Sequence, residues 1–283
     1  MAAATGEPWL ADKRVSQIVG DVAERSVLAQ ALTPNTGSIF HLAAVVSGQA
    51  EADFDVGMRV NVDATRTLLE LTRTLPTPPK FVFTSSIAVF GGALPTVLPD
   101  DQILTPQGSY GAQKAMGELL VSDMSRRGLI DGRSLRLPTV TVRPGKPNKA
   151  ASSFASGIIR EPLAGVDAIC PTAPETKMWV QSPPRVIENI LMGHEASASA
   201  LSNTRSVSVP GITVSVREMM ESLRRVAGDS VAARVTWQLD PVIDRLVSSW
   251  PQAFSAERGK SLGMTADANF DEIVRAYIGS LSA

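Results

Sequence analysis

Short apolar runs alternate with longer amphipathic stretches through the first half of the chain. The runs have the composition of buried strands and lie at about 15–19, 38–44, 81–84 and 134–142, the last one containing Pro138. Apolar residues spaced three and four apart predict a helix at about 50–75. Asp21 and Glu24 form a capping-box pattern that opens a helix at about 22–32, and a further helix is predicted at about 109–126. This alternation predicts an α/β fold with a mostly parallel sheet, helices on both faces, and chemistry at the carboxyl ends of the strands.

Prolines interrupt the chain repeatedly after Gly145. Ser215 and Glu218 form a capping-box pattern that opens a helix, which Gly228 closes. Other short elements are predicted at about 153–160, 185–192, 206–209, 212–214 and 271–281. We therefore expect two units, an α/β domain over residues 1–145 and a smaller α+β lobe over residues 146–283 that covers the strand ends and is interleaved with the sheet.

Composition removes several classes of partner. The 283 residues include 27 Lys and Arg against 28 Asp and Glu, so no basic excess is available to hold nucleic acid. No apolar run is long enough to cross a bilayer, and no basic and apolar leader opens the chain, so no membrane partner is expected. The single Cys170 and two histidines provide neither an intramolecular disulfide nor a zinc cluster, and we expect a cytoplasmic protein.

A tyrosine and a lysine stand four residues apart, at Tyr110 and Lys114, after a strand that ends in Thr84-Ser85-Ser86. Positions i and i+4 share one face of a helix, so the Lys114 ammonium can lie beside the Tyr110 phenol. A cation held close to a phenol lowers its pKa toward the range useful for proton transfer. The pair alone is equally typical of a half-buried tyrosine beside a solvated lysine, and the strand ending in hydroxyls favours an acid/base site.

Several motifs occur in the first half in a characteristic order: Phe40-His41-Leu42-Ala43-Ala44, then Asn61, then Phe83-Thr84-Ser85-Ser86-x-x-Val89-Phe90-Gly91, then Tyr110-x-x-x-Lys114. With these motifs the sequence resembles the extended short-chain dehydrogenases/reductases, which include NAD-dependent sugar epimerases and dehydratases. The resemblance implies a Rossmann-type dinucleotide-binding domain over residues 1–145 and a homodimer. It implies NAD as the cofactor and leaves NADP open.

The resemblance also implies roles for individual side chains. Ser86 would bind the reacting oxygen, Tyr110 would accept or donate the proton, and Lys114 would hold the nicotinamide ribose. The implied cofactor contacts beyond Tyr110 and Lys114 are Asp21, Val22, Ala43 and Ala44. A helix cap would explain Asp21 equally well, and close helix packing would explain the two alanines.

Over essentially the whole chain the sequence resembles the branch of that family that oxidises D-erythronate, a four-carbon sugar acid. The matching runs lie at 152–163 and 45–51, and Arg143-Pro144-Gly145 replaces the turn usual in nucleotide-sugar enzymes. This likeness implies NAD-dependent oxidation of the C2 hydroxyl to a 2-oxo acid. Arg143 and Arg160 could each clamp a carboxylate or pair with a surface acid. The expected ligands of the sugar acid are Ser47, Ser86, Asn148 and Arg160.

The family's opening strand and its Gly-x-x-Gly-x-x-Gly loop have no counterpart in this sequence. The chain starts at what resembles the end of the second family βα unit, so we expect a Rossmann-type domain without its first βαβ portion, about 40 residues shorter than usual. NAD binding is then expected to be weaker than in a relative with the loop. Three hypotheses follow: a sugar-acid dehydrogenase, a nucleotide-sugar epimerase or dehydratase, and a non-catalytic remnant unable to hold NAD.

Overall fold

The structure, a computed structural model, describes residues 8–146, 150–201 and 203–281. Its strands are β1 (Ser38–His41), β2 (Lys80–Ser86), β3 (Asp131–Leu137), β4 (Thr139–Val140), β5 (Ala168–Cys170), β6 (Lys177–Gln181), β7 (Ser206–Ser208), β8 (Ile212–Ser215) and β9 (Val235–Trp237). Its α-helices are α1 (Arg25–Ala31), α2 (Ser47–Ala52), α3 (Phe54–Gly57), α4 (Ala64–Thr72), α5 (Ser109–Arg126), α6 (Ser153–Leu163), α7 (Pro183–Glu195), α8 (Ala198–Leu201), α9 (Val216–Ala227), α10 (Asp229–Ala232), α11 (Pro241–Ser248), α12 (Glu257–Ser261) and α13 (Phe270–Ser280).

The main sheet contains four parallel strands in the order β1-β2-β3-β7. Successive residues of β2 point to opposite faces: Phe81 and Phe83 pack against α4 and α5, and Val82 joins Leu135 and Met264 in a second core on the other face. Helix α7 contacts β2 and β3. Helices therefore cover both faces, and the predicted α/β fold with a mostly parallel sheet is confirmed.

The chain after residue 145 contributes to this sheet and builds a further layer. Strand β7 pairs with β3, while β4, β6 and β8 form a small mixed sheet and β5 pairs with β9. Helices α6, α9 and α13 share an apolar core that includes Ile158, Met219 and Ile273. The Ser215 and Glu218 capping box is present and Gly228 ends that helix, as predicted. The boundary at residue 145 stays a prediction.

Two predicted elements near the start of the chain are wrong. Residues 15–19 form no strand, and the side chains of Ile18 and Val19 are exposed. A strand needs a neighbour for its backbone hydrogen bonds, and no described strand lies beside this segment. Helix α1 begins at Arg25 rather than at 22, because the Asp21 carboxylate accepts a hydrogen bond from the Ala23 N–H and forms a turn before the helix.

Two longer predictions are corrected by breaks in the backbone. The helix predicted over 50–75 is divided into α2, α3, a π-helical turn (Met58–Asp63) and α4. Asp53 leaves the helical conformation and caps α3, where its carboxylate accepts from the Val56 N–H at 3.0 Å. The strand predicted over 134–142 is divided at Pro138, which has no N–H to donate to a ladder. Helix α5, by contrast, covers the predicted residues 109–126.

Candidate active site

A cavity of about 330 Å³ lies at the carboxyl ends of the parallel strands. The ends of β1, β2 and β3 meet there, and the first turns of α5 form one wall, as expected for an open α/β sheet. Segments from the second half of the chain close the other side. The residues that line this cavity include Ala44, Ser47, Ser86, Tyr110, Lys114, Arg143 and Trp250.

Lys114 is fixed by the end of β2. Its Nζ donates to the Thr84 carbonyl oxygen at 2.7 Å and lies 4.7 Å from the centre of the Phe83 ring. The Tyr110 ring centre is 5.7 Å from the same Nζ, so the predicted neighbourhood of the two side chains is present. Burial lowers the pKa of Lys114 to about 8, and the negative Glu118 opposes that shift.

The ionisation of Tyr110 differs from the expectation that Lys114 would control it. Burial raises the pKa of the Tyr110 phenol, and this cause is the largest one. The Ser86 hydroxyl and the Arg143 cation act in the opposite direction. Lys114 directs its ammonium to the Thr84 carbonyl instead, so the groups that favour the phenolate are Ser86 and Arg143.

The approach of α5 to the loop after β2 depends on Gly111. A Cβ at this position would overlap the Ala88 carbonyl oxygen. That loop follows Ser86, whose side-chain oxygen accepts from the Ala88 N–H at 3.1 Å. Any side chain at 111 would push Tyr110 away from Ser86, so glycine is what allows the two hydroxyl groups to face one cavity.

A buried ion pair lies on α5 one turn beyond the residues that line the cavity. Glu118, one turn after Lys114, accepts from Arg136 Nη2 at 2.7 Å and from the Ser85 hydroxyl at 2.5 Å. Both charged side chains are almost fully buried. The pair therefore ties α5 to β2 and β3 next to Ser86, and its negative member favours the charged form of Lys114.

A second polar network holds the loop that follows β1. The Asn61 side chain accepts from the Val45 N–H at 2.9 Å, and its amide donates to Gln113 Oε1 at 2.8 Å. The buried His41 shares a 2.8 Å hydrogen bond with the Thr65 hydroxyl. These contacts link β1, the π-helical turn and α5. Asn61 and His41 therefore support the loop beside the cavity, although neither side chain lines it.

We expect the protein to lose stability as the pH falls from 6.5 to about 4 because of His41. Burial lowers the pKa of His41 to about 4, whereas an unfolded histidine titrates near 6.5. Between these values the unfolded chain binds a proton that the folded chain lacks, so the free energy of unfolding falls as the pH falls. Urea unfolding should show that, between pH 6.5 and about 4, the free energy of unfolding falls by roughly 2 to 3 kcal/mol more in the wild type than in His41→Gln. Equal losses in the two proteins would contradict this role.

The structure divides the sequence-predicted site residues into two groups. Ser86, Tyr110, Lys114, Ala44 and Ser47 line the cavity, and Ala43 precedes Ala44 in the same loop. A second group lies elsewhere or outside the described residues: Asp21, Val22, Arg160 and Asn148.

Two members of that second group, Asp21 and Arg160, have other contacts. The Asp21 carboxylate forms an ion pair with Arg59 at 2.7 Å, so its predicted contact with the cofactor would compete with this pair. Arg160 donates to Glu161 Oε1 at 2.6 Å and to the Arg143 carbonyl oxygen at 3.0 Å. Asn148 is not among the described residues. The roles assigned to these residues stay predictions.

Three lining groups were missed or left undecided by the sequence. The sequence named both Arg143 and Arg160 as possible carboxylate clamps and assigned only Arg160 to the sugar acid, whereas it is Arg143 that lines the cavity. The Thr84 carbonyl oxygen, which accepts a hydrogen bond from the Lys114 ammonium, is a backbone group that no side-chain motif reveals. Trp250 comes from the segment after α11 and carries no local signal of a site.

Comparison with known proteins identifies the family to which this architecture belongs. The model of the NAD dependent epimerase/dehydratase family matches residues 2–179. The chain belongs to this family. A D-erythronate dehydrogenase of Cupriavidus necator is 58% identical over 269 residues, which cover 95% of this chain and 83% of that protein. The D-erythronate dehydrogenase of Haemophilus influenzae is 42% identical over 89% of this chain and 80% of its own length.

A solved structure shows that the likeness extends to the fold. A nucleoside-diphosphate-sugar epimerase from Agrobacterium tumefaciens superposes with a TM-score of 0.87 at 42% identity, over 92% of this chain and 77% of that one. The fold is therefore Rossmann-type, and the family membership makes the chain an enzyme that uses a nicotinamide cofactor. In the described residues no helix is long and apolar enough to span a membrane.

The residues present fit the nicotinamide ribose end of such a cofactor. Buried Lys114 has three N–H donors and gives one to Thr84, which leaves donors on the cavity side for ribose hydroxyls. The small Ala43 and Ala44 leave the end of β1 open to a close approach. Lys114, Tyr110 and this loop would hold the cofactor, which supplies the acceptor for a hydride.

Proposed function

We propose that this protein oxidises the C2 hydroxyl of D-erythronate to the 2-oxo acid, with NAD as the hydride acceptor. The observation that carries the proposal is the meeting of Ser86, Tyr110 and Lys114 in one cavity at the strand ends. Two relatives named D-erythronate dehydrogenase, at 58% and 42% identity, support the choice of substrate. The same arrangement favours an enzyme over the non-catalytic remnant.

The proposed roles follow from the hydrogen-bonding capacity of each group. Tyr110 removes the proton of the C2 hydroxyl, and Ser86 donates a hydrogen bond to the same oxygen. Before the substrate binds, Ser86 and Arg143 both favour the Tyr110 phenolate against the effect of burial. Once the single Ser86 O–H is donated to the C2 oxygen, Arg143 remains as the group that favours the phenolate. Lys114, held by Thr84, orients the ribose and remains cationic below about pH 8. Ser47 lines the cavity and could bind a hydroxyl of the acid.

The test is the formation of reduced cofactor from D-erythronate, followed by absorbance, with NAD and NADP supplied separately. We expect reduction with D-erythronate and NAD, and the ratio of the two kcat/KM values would establish the cofactor preference. Titration calorimetry of NAD on the same chain would test the expected weak cofactor binding independently of turnover. A protein that binds NAD and D-erythronate but reduces neither cofactor would contradict the proposal.

The solved relative named an epimerase keeps a second candidate function in view, since it is 42% identical. Under that alternative a nucleotide sugar should raise the melting temperature of this protein, while D-erythronate should not. We favour the sugar acid because Arg143 replaces the turn expected in nucleotide-sugar enzymes. The homodimer and the cytoplasmic location stay predictions. The exposed side chain of Leu119 on α5 is apolar surface that such a dimer would cover.

A further inference from the structure

Arg143 is held rigidly at the edge of the cavity by α6. Its backbone N–H donates to the Ser156 hydroxyl at 3.1 Å, and its carbonyl oxygen accepts from Arg160 at 3.0 Å. Both partners lie on the same helix, so the backbone at 143 is fixed from two sides. The side chain of Arg143 lines the cavity that also contains Tyr110 and Ser86.

The charge around this guanidinium is unbalanced. None of the described residues that line the cavity is an aspartate or a glutamate, while Lys114 and Arg143 are both cationic. Glu161, an acid on the same helix as Arg160, forms its ion pair with Arg160 and not with Arg143. Across residues 8–146, 150–201 and 203–281, the Arg143 guanidinium has no ion-pair or hydrogen-bond partner. Burial and the nearby Arg160 cation lower the pKa of Arg143, and Tyr110 acts in the opposite direction.

A half-buried cation without a counter-ion is costly, and an anionic ligand relieves that cost. A guanidinium offers two parallel N–H donors that match the two oxygens of a carboxylate. We propose that Arg143 binds the carboxylate of the substrate, and that this contact selects small 2-hydroxy acids over neutral sugars.

This inference rests on the proposed function, because it assigns the acid group of the same substrate. In a 2-hydroxy acid the carboxylate and the reacting hydroxyl sit on adjacent carbons. Arg143 and Tyr110 both line one cavity of about 330 Å³, so the carboxylate and the hydroxyl of one small molecule can be placed against them. The carboxylate at Arg143 would place the C2 hydroxyl at Tyr110 and Ser86.

The experiment is calorimetric titration of the full chain, without cofactor, with D-erythronate and with erythritol, its four-carbon counterpart without a carboxylate. We expect D-erythronate to bind at least about 10-fold more tightly than erythritol. Arg143→Met should weaken D-erythronate binding about 10- to 100-fold and leave erythritol binding unchanged. Arg143→Lys keeps the charge without the two-pronged donor and should fall between the two proteins.

Arg126→Gln is the matched control, because Arg126 is an exposed arginine at the end of α5 that forms its ion pair with Asp123, far from Arg143 in the chain. It should bind both ligands as the wild type does. D-erythronate binding by Arg143→Met within about twofold of wild type, with a native circular dichroism spectrum, would overturn the inference. So would a variant that loses NAD affinity and keeps D-erythronate affinity, since Arg143 would then hold a cofactor phosphate. If Arg143→Met does not fold, Arg143→Lys decides by the same criteria.

Failure of the proposed function has a different signature. If the wild type does not oxidise D-erythronate but still binds it, or binds glycolate, through Arg143, then the carboxylate site stands and the reaction is wrong. If neither acid binds more tightly than erythritol, the carboxylate site is wrong, whatever the turnover of the enzyme.

Discussion

Tyr110→Phe is expected to lower kcat for D-erythronate oxidation by about 10²- to 10⁴-fold, with little change in the melting temperature. The substitution removes the phenolic oxygen, which is the only atom placed to accept the substrate proton under the proposed mechanism. The ring remains, so its packing near the Lys114 ammonium, 5.7 Å from the ring centre, is preserved. Steady-state kinetics with saturating cofactor would measure the effect.

The chain contains one other tyrosine, and it provides the control. Tyr277 lies on α13 in the apolar core of the second half, away from the cavity. Tyr277→Phe removes the same hydroxyl group and should leave kcat unchanged. Retention of more than about a tenth of kcat by Tyr110→Phe would exclude Tyr110 as the proton acceptor.

Glu118→Gln is expected to destabilise the fold by about 3 to 5 kcal/mol. Glutamine cannot neutralise Arg136, which would remain buried at 8% side-chain exposure without its counter-charge. The substitution also removes the charge that opposes the lowered pKa of Lys114, so that pKa should fall further below about 8. Urea unfolding would measure the first effect, and the pH dependence of activity the second.

Glu70 provides the comparison for an exposed ion pair. It pairs with Arg25 and Arg66 on the surface of α4, where water screens the charges, so Glu70→Gln should cost less than about 1 kcal/mol. The double variant Glu118→Gln with Arg136→Met should recover part of the stability that Glu118→Gln loses, because it leaves no unpaired buried charge. A loss below about 1 kcal/mol for Glu118→Gln would mean that solvent reaches the pair.

The parts of the fold that the sequence predicted well are those set by local patterns. The helix at 216–227 follows from the Ser215 capping box, because that signal acts within a few residues. Helix α5 covers the residues predicted for it. Strand β2 is a compact apolar run that any parallel sheet would bury. The predicted strand at 15–19 failed because a strand depends on a neighbour, which no local pattern reveals.

The helix predicted over 50–75 failed for a related reason. Its apolar periodicity is continuous, but Asp53 satisfies the backbone N–H of Val56 with its side chain and allows the chain to turn. The competition between a side-chain cap and a continued helix is settled by how α2, α3 and α4 pack against α5, which involves residues far apart in sequence.

The placement of the predicted acid/base pair came from the sequence alone: Tyr110 and Lys114 share a helix face, and Ser86 ends the preceding strand, because helix and strand periodicities are local. The tertiary structure determines which charges face the cavity. It brings Arg143 into the cavity and engages Arg160 elsewhere, and it makes burial rather than Lys114 the main influence on the Tyr110 pKa. Burial and electrostatic pairing depend on groups distant along the chain, so they exist only once the chain has folded.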